Sequence, residues 1–151
     1  MLMIQVGVIG ASDCDDEIYE VAYRLGQLLA ENKCILINGG LGGVMEASAK
    51  GAKSKGGIVV GILPFAEKKY SNPYIDIIIA TNMGHARDVI IVHSSDAIIA
   101  VDGDYGTLSE IAIALKEGKK VVAINPKFDV PGLLTADNEA DAVKKVLEVD
   151  R

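Results

Sequence analysis

Residues 96–111, DAIIAVDGDYGTLSEI, decide the fold. An apolar run from Ala97 to Val101 stops at a turn punctuated by Gly103 and Gly106, and a helical pattern begins at once. The run is short, uninterrupted and rich in β-branched residues, as expected of a strand covered on both faces in a parallel sheet. Leu108, Ile111, Ala112 and Leu115 recur at helical spacing, which predicts a helix starting near Thr107 and lying back on that sheet. A helix that follows a buried strand directly aims free amide hydrogens and the positive end of its dipole beyond the strand's carboxyl end, where an anion can bind. Glycines in the turn let a ligand approach the main chain. A local reading stays open beside this one: Thr107 and Glu110 have the spacing of a Ser/Thr-x-x-Glu capping box, which would close the turn on itself.

The same alternation continues outward on both sides. Gln5 to Ile9 reads as a first strand ended by Gly10-Ala-Ser12, and Ile18, Val21, Ala22, Leu25, Leu28 and Leu29 form the apolar face of the helix that follows. Asp13, Asp15, Asp16 and Glu17 at its opening complement the helix dipole. Cys34 to Ile37 is a second strand, followed by Asn38-Gly-Gly-Leu-Gly-Gly43 and a helix through Met45, Ala49 and Ala52. Glycines at 39, 40, 42 and 43 raise the entropy lost on folding, and close approach of a ligand is the reason we expect for them.

Ile58 to Leu63 is a third strand, ended by Pro64. Phe65 to Pro73 is aperiodic and carries Lys68 and Lys69; it reads either as a mobile flap bringing positive charge over the site or as a solvated loop. Ile75 to Ala80 is a fourth strand, and Thr81 and Asn82 are placed to cap a helix from Gly84 to Ser95. Arg87 lies in the first turn of that helix, where it opposes the dipole, so we expect it to be held there for an anion. Beyond the central stretch, Lys120 to Ile124 is a further strand, Leu133 to Ala136 fits a short edge strand, and Asn138 to Val149 forms a last helix with Ala142, Val143, Val146 and Leu147 inward.

The expected fold is therefore α/β: one Rossmann-like, doubly wound parallel sheet with helices on both faces, residues 1–151 forming a single domain. Ligands of such sheets sit beyond the carboxyl ends of the strands, near the switch point. Gly10, Ser12, Gly39, Gly40, Gly42, Gly43, Asn82, Arg87, Gly103, Asp104, Tyr105, Gly106 and Thr107 all fall on that rim. Neither glycine loop is the Gly-x-Gly-x-x-Gly fingerprint and no Gly-Lys-Ser/Thr loop is present, which disfavours NAD enzymes and P-loop NTPases.

Composition narrows the function classes. The formal net charge is −6 with no Trp, two Phe and five Tyr, a poor endowment for binding nucleic acid, which usually needs a basic face or a stacking platform. Cys14 and Cys34 form no Cys-x-x-Cys pair, the N-terminus carries no signal-peptide pattern, and no apolar run approaches a membrane span, so a cytoplasmic location is expected. His85 and His93 are eight residues apart and do not read as a metal pair. Val89, Ile90, Ile91 and Val92 are contiguous, so one helical face cannot hide them all, and a partner surface is one way to cover the rest.

At Asn38-Gly-Gly-Leu-Gly-Gly-Val-Met-Glu46, Gly61-Ile-Leu-Pro64, Ala86-Arg87 and Tyr105-Gly-Thr-Leu-Ser-Glu-Ile-Ala112 the chain resembles the Lonely Guy superfamily, often labelled lysine decarboxylases. More closely, it resembles the molybdenum-cofactor-carrier-like branch of that superfamily. The resemblance implies a homodimer and a small phosphorylated ligand held by the two glycine loops, which adds Met45 and Glu110 to the ligand-binding candidates. It implies molybdenum cofactor as a possible cargo. In the phosphoribohydrolase members, the residues matched by Arg87 and Glu110 are catalytic and cleave the N-glycosidic bond of nucleoside 5′-monophosphates. The decarboxylase label has no support, because no lysine is placed for a pyridoxal phosphate site.

Two departures matter. The hydrolases read Pro-Gly-Gly-x-Gly-Thr where this chain has Asp102-Gly-Asp104-Tyr-Gly-Thr107, and Lys where it has Asp88. A carboxylate about 4 Å from a phosphate charge costs about 4 kcal/mol at an effective dielectric near 20. Asp102 and Asp104 would tolerate phosphate if they held it through Mg²⁺. Arg87 is expected to pair with the ligand anion, or with Glu110 in the empty site, and Arg87→Ala to weaken binding without unfolding, as a surface change does.

Overall fold

The computed structural model describes residues 2–148; Val149, the predicted end of the final helix, lies outside them. Among the described residues the strands are β1 (Gln5–Gly10), β2 (Ile35–Asn38), β3 (Val59–Leu63), β4 (Ile77–Ala80), β5 (Ala97–Val101), β6 (Lys120–Ile124) and β7 (Leu134–Ala136). The α-helices are α1 (Asp16–Glu31), α2 (Val44–Ser54), α3 (Arg87–Ser94), α4 (Tyr105–Lys116) and α5 (Glu139–Leu147). All strands join one parallel sheet in the order β4-β3-β2-β1-β5-β6-β7. The chain winds outward from β1 to β4, returns across the sheet to β5, and winds outward again. This is the doubly wound arrangement expected from the alternation of elements, with its switch point between β1 and β5.

Side chains alternate between the two faces of each strand. Val6, Val8, Ala97, Ile99, Val101, Val122 and Ile124 meet the helices α1, α2 and α5. Ile9, Ile98, Ala100, Val121 and Ala123 meet α3 and α4 on the other face. The buried residues of both layers are non-aromatic, and the aromatic side chains Tyr19, Tyr23, Tyr74 and Phe128 pack only at their margins, partly exposed. No helix among the described residues is long and apolar enough to cross a membrane.

Several local expectations are corrected. Helix α4 begins at Tyr105, not Thr107, because Asp104 is its cap, accepting from the Gly106 amide at 3.3 Å. Thr107 and Glu110 turn into the fold and are buried, so they form no capping box. Asn82 does not cap α3 either: it sits at φ 51°, and a 3₁₀ turn, Gly84–Ala86, leads into a helix with no side-chain cap. Thr81 serves the turn instead, accepting from the Met83 amide at 3.2 Å and donating to the Leu63 carbonyl at 2.6 Å.

The segment after β3 is tethered. Its Lys68–Tyr70 portion is a 3₁₀ turn, the Asn72 amide donates to the Gly40 carbonyl at 2.8 Å, and the Asn72 side chain donates to the Leu41 carbonyl at 2.8 Å. Lys68 and Lys69 stand exposed, with Lys69 paired to Glu67 at 3.2 Å. Neither lysine lines the cleft that opens at the switch point.

Helices α1 and α2 approach so closely that their backbones touch. A methyl group on Gly26 would fall onto the Ser48 carbonyl oxygen, and one on Gly51 onto the Tyr23 carbonyl oxygen. Glycine inside a helix costs about 1 kcal/mol relative to alanine, and here that cost permits the contact. Gly51→Ala should therefore destabilise the protein by about 1–3 kcal/mol, since backbone must move to admit the methyl. A lowered urea midpoint at unchanged slope would register it; a stabilised variant would refute the close contact.

Candidate functional site

The loops after β1, β2, β3 and β5, with the entry to α3, enclose a cleft of about 510 Å³ at the switch point, a size typical of small-molecule sites. Of the residues singled out from the sequence, Gly10, Ser12, Gly39, Met45, Arg87, Asp104, Gly106, Thr107 and Glu110 line it. Gly40, Gly42, Gly43, Asn82, Gly103 and Tyr105 are not among its lining residues.

Most of the non-lining glycines are explained by the fold itself. At Gly43, φ is 60° and a methyl would strike the Ala11 carbonyl; at Gly40, φ is 76° and it would strike the Leu63 side chain. A methyl on Gly42 would sit 3.0 Å from the Ser12 carbonyl, and one on Gly103 would strike Thr107. These glycines pack protein against protein, where we expected close approach of a ligand. Tyr105 points outward and is 85% exposed.

Asn38 holds the second glycine loop in place. Fully buried at the end of β2, its side chain donates to the Met45 carbonyl at 2.9 Å and to Ser48 Oγ at 3.3 Å, and accepts from the Gly40 amide at 2.8 Å. These bonds tie the loop to the first turns of α2 and fix Gly39 against the cleft. Gly39 leaves room there, since a methyl on it would lie 2.7 Å from both Arg87 Nη2 and Met45 Sδ.

The charged centre of the cleft is Arg87, Asp88 and Glu110. Arg87 Nη1 pairs with Asp88 Oδ1, and the two side chains are only 12% and 9% exposed. The expected Arg87–Glu110 pair in the empty site is corrected by this geometry: the adjacent carboxylate of α3 takes the guanidinium first. Arg87 is not a surface residue, so Arg87→Ala would also strand a buried carboxylate, a change that typically costs about 3–5 kcal/mol. Arg87 Nε is buried without a hydrogen-bond partner among the described residues.

Glu110 is 8% exposed, and its carboxyl is pushed up to about 8, first by burial and then by the charge of Asp88, with Arg87 pulling the other way. At neutral pH it holds its proton and can donate a hydrogen bond. Asp104 faces the cleft but is engaged by its own helix, and Asp102 pairs with Lys127 at 3.3 Å. These separate partners leave the Mg²⁺ reading of the two carboxylates without support. Among the described residues no group of three or more His, Cys, Asp or Glu is arranged to hold a metal ion.

The structure adds Asp13, Leu41, Pro64, Phe65, Gly84, His85, Asp88 and Ile91 to the cleft. Phe65 follows the carboxyl end of β3, so the rim rule that selected the other loops would have found it. Asp88 was visible only as a departure from a family pattern, because nothing in one sequence tells a buried carboxylate from a solvated one. The cleft thus offers apolar walls from Leu41, Met45, Phe65 and Ile91, donors from Arg87 and Glu110, and acceptors from Asp88 and Asp104. Such a lining suits a flat, partly apolar ligand with a polar edge.

A Rossmann-like sheet with its cleft at the switch point defines a broad class of small-ligand-binding proteins. Within it, the model of the SLOG cluster4 family matches residues 3–151, and the chain belongs to that family, in the molybdenum-cofactor-carrier-like branch of the Lonely Guy superfamily. It is 62% identical to an uncharacterised protein of Archaeoglobus fulgidus, over 95% of this chain and 94% of that one. It is 30% identical to a cytokinin riboside 5′-monophosphate phosphoribohydrolase of Mycobacterium tuberculosis, over 82% of this chain and 71% of that one. The molybdenum cofactor binding protein of Rippkaea orientalis superposes with a TM-score of 0.91 at 33% identity, covering 97% of this chain and 96% of that chain.

The raised Glu110 carboxyl yields a pH prediction. Its pKa in the folded protein, about 8, lies above its ordinary value of 4.5, so its contribution to stability is full below pH 4.5 and is lost as pH rises through about 8. The loss approaches about 1.4 kcal/mol per pH unit inside that window. Glu110→Gln, which cannot ionise, should flatten this slope and be the more stable protein above pH 8. Urea midpoints measured across the window for both proteins would decide it; parallel profiles would show that Glu110 is ionised and solvated.

Proposed function

We propose that residues 1–151 act as one unit that binds a pterin-phosphate or nucleotide-like ligand in the switch-point cleft, with molybdenum cofactor as the cargo, in the manner of the carrier-like branch. The observation that carries this reading is the buried Arg87–Asp88 pair. A phosphoribohydrolase needs the Arg87 guanidinium free for its substrate, whereas here a phosphate must first compete with a carboxylate held beside it. The likeness to a molybdenum cofactor binding protein over nearly the full length of both chains supports the same reading.

Glu110 favours a second reading. A carboxyl that keeps its proton at neutral pH is poised as a general acid. As water adds at the anomeric carbon and the C–N bond breaks, Glu110 would protonate the departing base and recover a proton from the added water, which completes the phosphoribohydrolase reaction. The two readings differ in turnover. We expect mass spectrometry of gently purified protein to find a bound pterin or nucleotide, and incubation with AMP, GMP, CMP or UMP to release no free base. Release of base that Glu110→Gln abolishes would replace the carrier reading with the enzyme.

We also propose that the protein works as a cytoplasmic homodimer. Phe65, Ile79, Met83 and Val89 are each large, apolar and at least a third exposed; Phe65 lines the cleft, Ile79 lies on the edge strand β4, and Met83 and Val89 lie before and within α3, whose entry lines the cleft. Light scattering at micromolar concentration should give twice the mass of the chain; a monomer would refute the dimer.

A further inference from the structure

We infer that Asp88 is the specificity-determining acceptor of the cleft, reading the 2-amino-4-oxopyrimidine edge that pterins share with guanine. The inference rests on the ligand class proposed above and names the atom group recognised. An ionised carboxylate has about four acceptor positions, and among the described residues Asp88 uses only one oxygen, Oδ1, toward Arg87. The other oxygen has no hydrogen-bond partner, although the residue is 94% buried and lines the cleft. That oxygen is not among the buried unpartnered polar atoms, so it opens on the cleft, where a bound molecule can supply its donors in place of water.

Donors stand beside it with needs of their own. Arg87 Nε is buried and unpartnered, and the Glu110 carboxyl, nearly as buried, lines the same cleft without a hydrogen bond. The cluster therefore presents an acceptor next to donors. A 2-amino-4-oxopyrimidine presents the complement: the 2-amino group and N3–H donate side by side, and the 4-oxo group accepts. Asp88 can take the first two as a bidentate acceptor, and Arg87 or Glu110 can donate to the third. A phosphate offers only acceptors and would repel Asp88, so this end of the cleft selects the ring and not the anion. Leu41, Met45, Phe65 and Ile91 supply the apolar surface that a flat heterocycle covers.

The test replaces the 2-amino group alone. Fluorescence titration of the native protein, at slightly acid pH, compares 6-hydroxymethylpterin with 6-hydroxymethyllumazine, which carries a 2-oxo group at that position; calorimetry compares GMP with IMP, which lacks the 2-amino group. The amino-bearing member of at least one pair should bind roughly tenfold tighter or better, as a bidentate contact provides, and the pair that discriminates tells a pterin from a guanine ligand. Asp88→Asn, whose amide can donate to a 2-oxo group, should reverse the pterin–lumazine preference. The native comparison stands alone if that variant fails to fold. Equal binding within both pairs overturns the role of Asp88 while leaving the ligand class intact, and a folded Asp88→Asn that keeps the native preference does the same. Binding of none of the four probes overturns the ligand class and Asp88's role with it.

Discussion

Right-handed crossovers in a parallel sheet leave one place where the chain must change direction, and in this protein the candidate cleft opens there. β1 lies between β2 and β5, paired parallel to both, so the loops leaving β1 and β5 part to opposite faces and open a crevice that neither helix layer covers. The crevice exists only if backbones approach closely around β1. Gly7 provides for this within the sheet, where a methyl would meet Ser95 Oγ at 2.5 Å, and Gly10 at its rim, where one would meet the Val101 carbonyl at the same distance. Ser95 is itself turned back to the Ile91 carbonyl at 2.7 Å, which finishes α3 and sets the chain into β5.

That geometry determines the electrostatics. Helix α3 starts at the rim with Arg87 and Asp88 in its first turn, and α4 brings Glu110 to the same wall. Removed from water, these groups interact strongly with one another, and the Glu110 carboxyl is pushed up by burial and then by the charge of Asp88. Arg87 and Asp88 compensate each other's charge, and Glu110, left with a carboxylate neighbour and little solvent, keeps its proton. The Arg87–Asp88 pair leaves no net positive charge at this wall, and Asp13 and Asp104 also line the cleft. What this wall offers a small molecule is chiefly a pattern of donors and acceptors.

The strand and helix order, the parallel sheet and the rim location were legible from the sequence, because each rests on local periodicity and on which residues end a run. Ala97–Val101 and Lys120–Ile124 match their predicted bounds, and the short edge strand is present at Leu134–Ala136. Where local signals competed, the sequence reading failed. Thr107–Glu110 and Thr81–Asn82 both have capping chemistry, yet Thr107 and Glu110 are drawn inward by the fold and Asn82 is taken up by a left-handed turn. The glycines of residues 39–43 signalled close approach correctly, but not what approaches; for Gly40 and Gly43 it is the Leu63 side chain and the Ala11 carbonyl.

The sequence by itself determined the doubly wound sheet, its carboxyl rim and the residue types on that rim, since these follow from periodicities of two and 3.6 and from turn chemistry that act over a few neighbours. Only the tertiary structure decided which of those residues share one cleft and in what charge state. Arg87 joins Asp88, Glu110 keeps its proton, Tyr105 faces water, and Phe65 closes a wall. The reason is physical: burial and ion pairing depend on groups far apart in the chain arriving in the same low-dielectric volume, and no local pattern encodes that meeting.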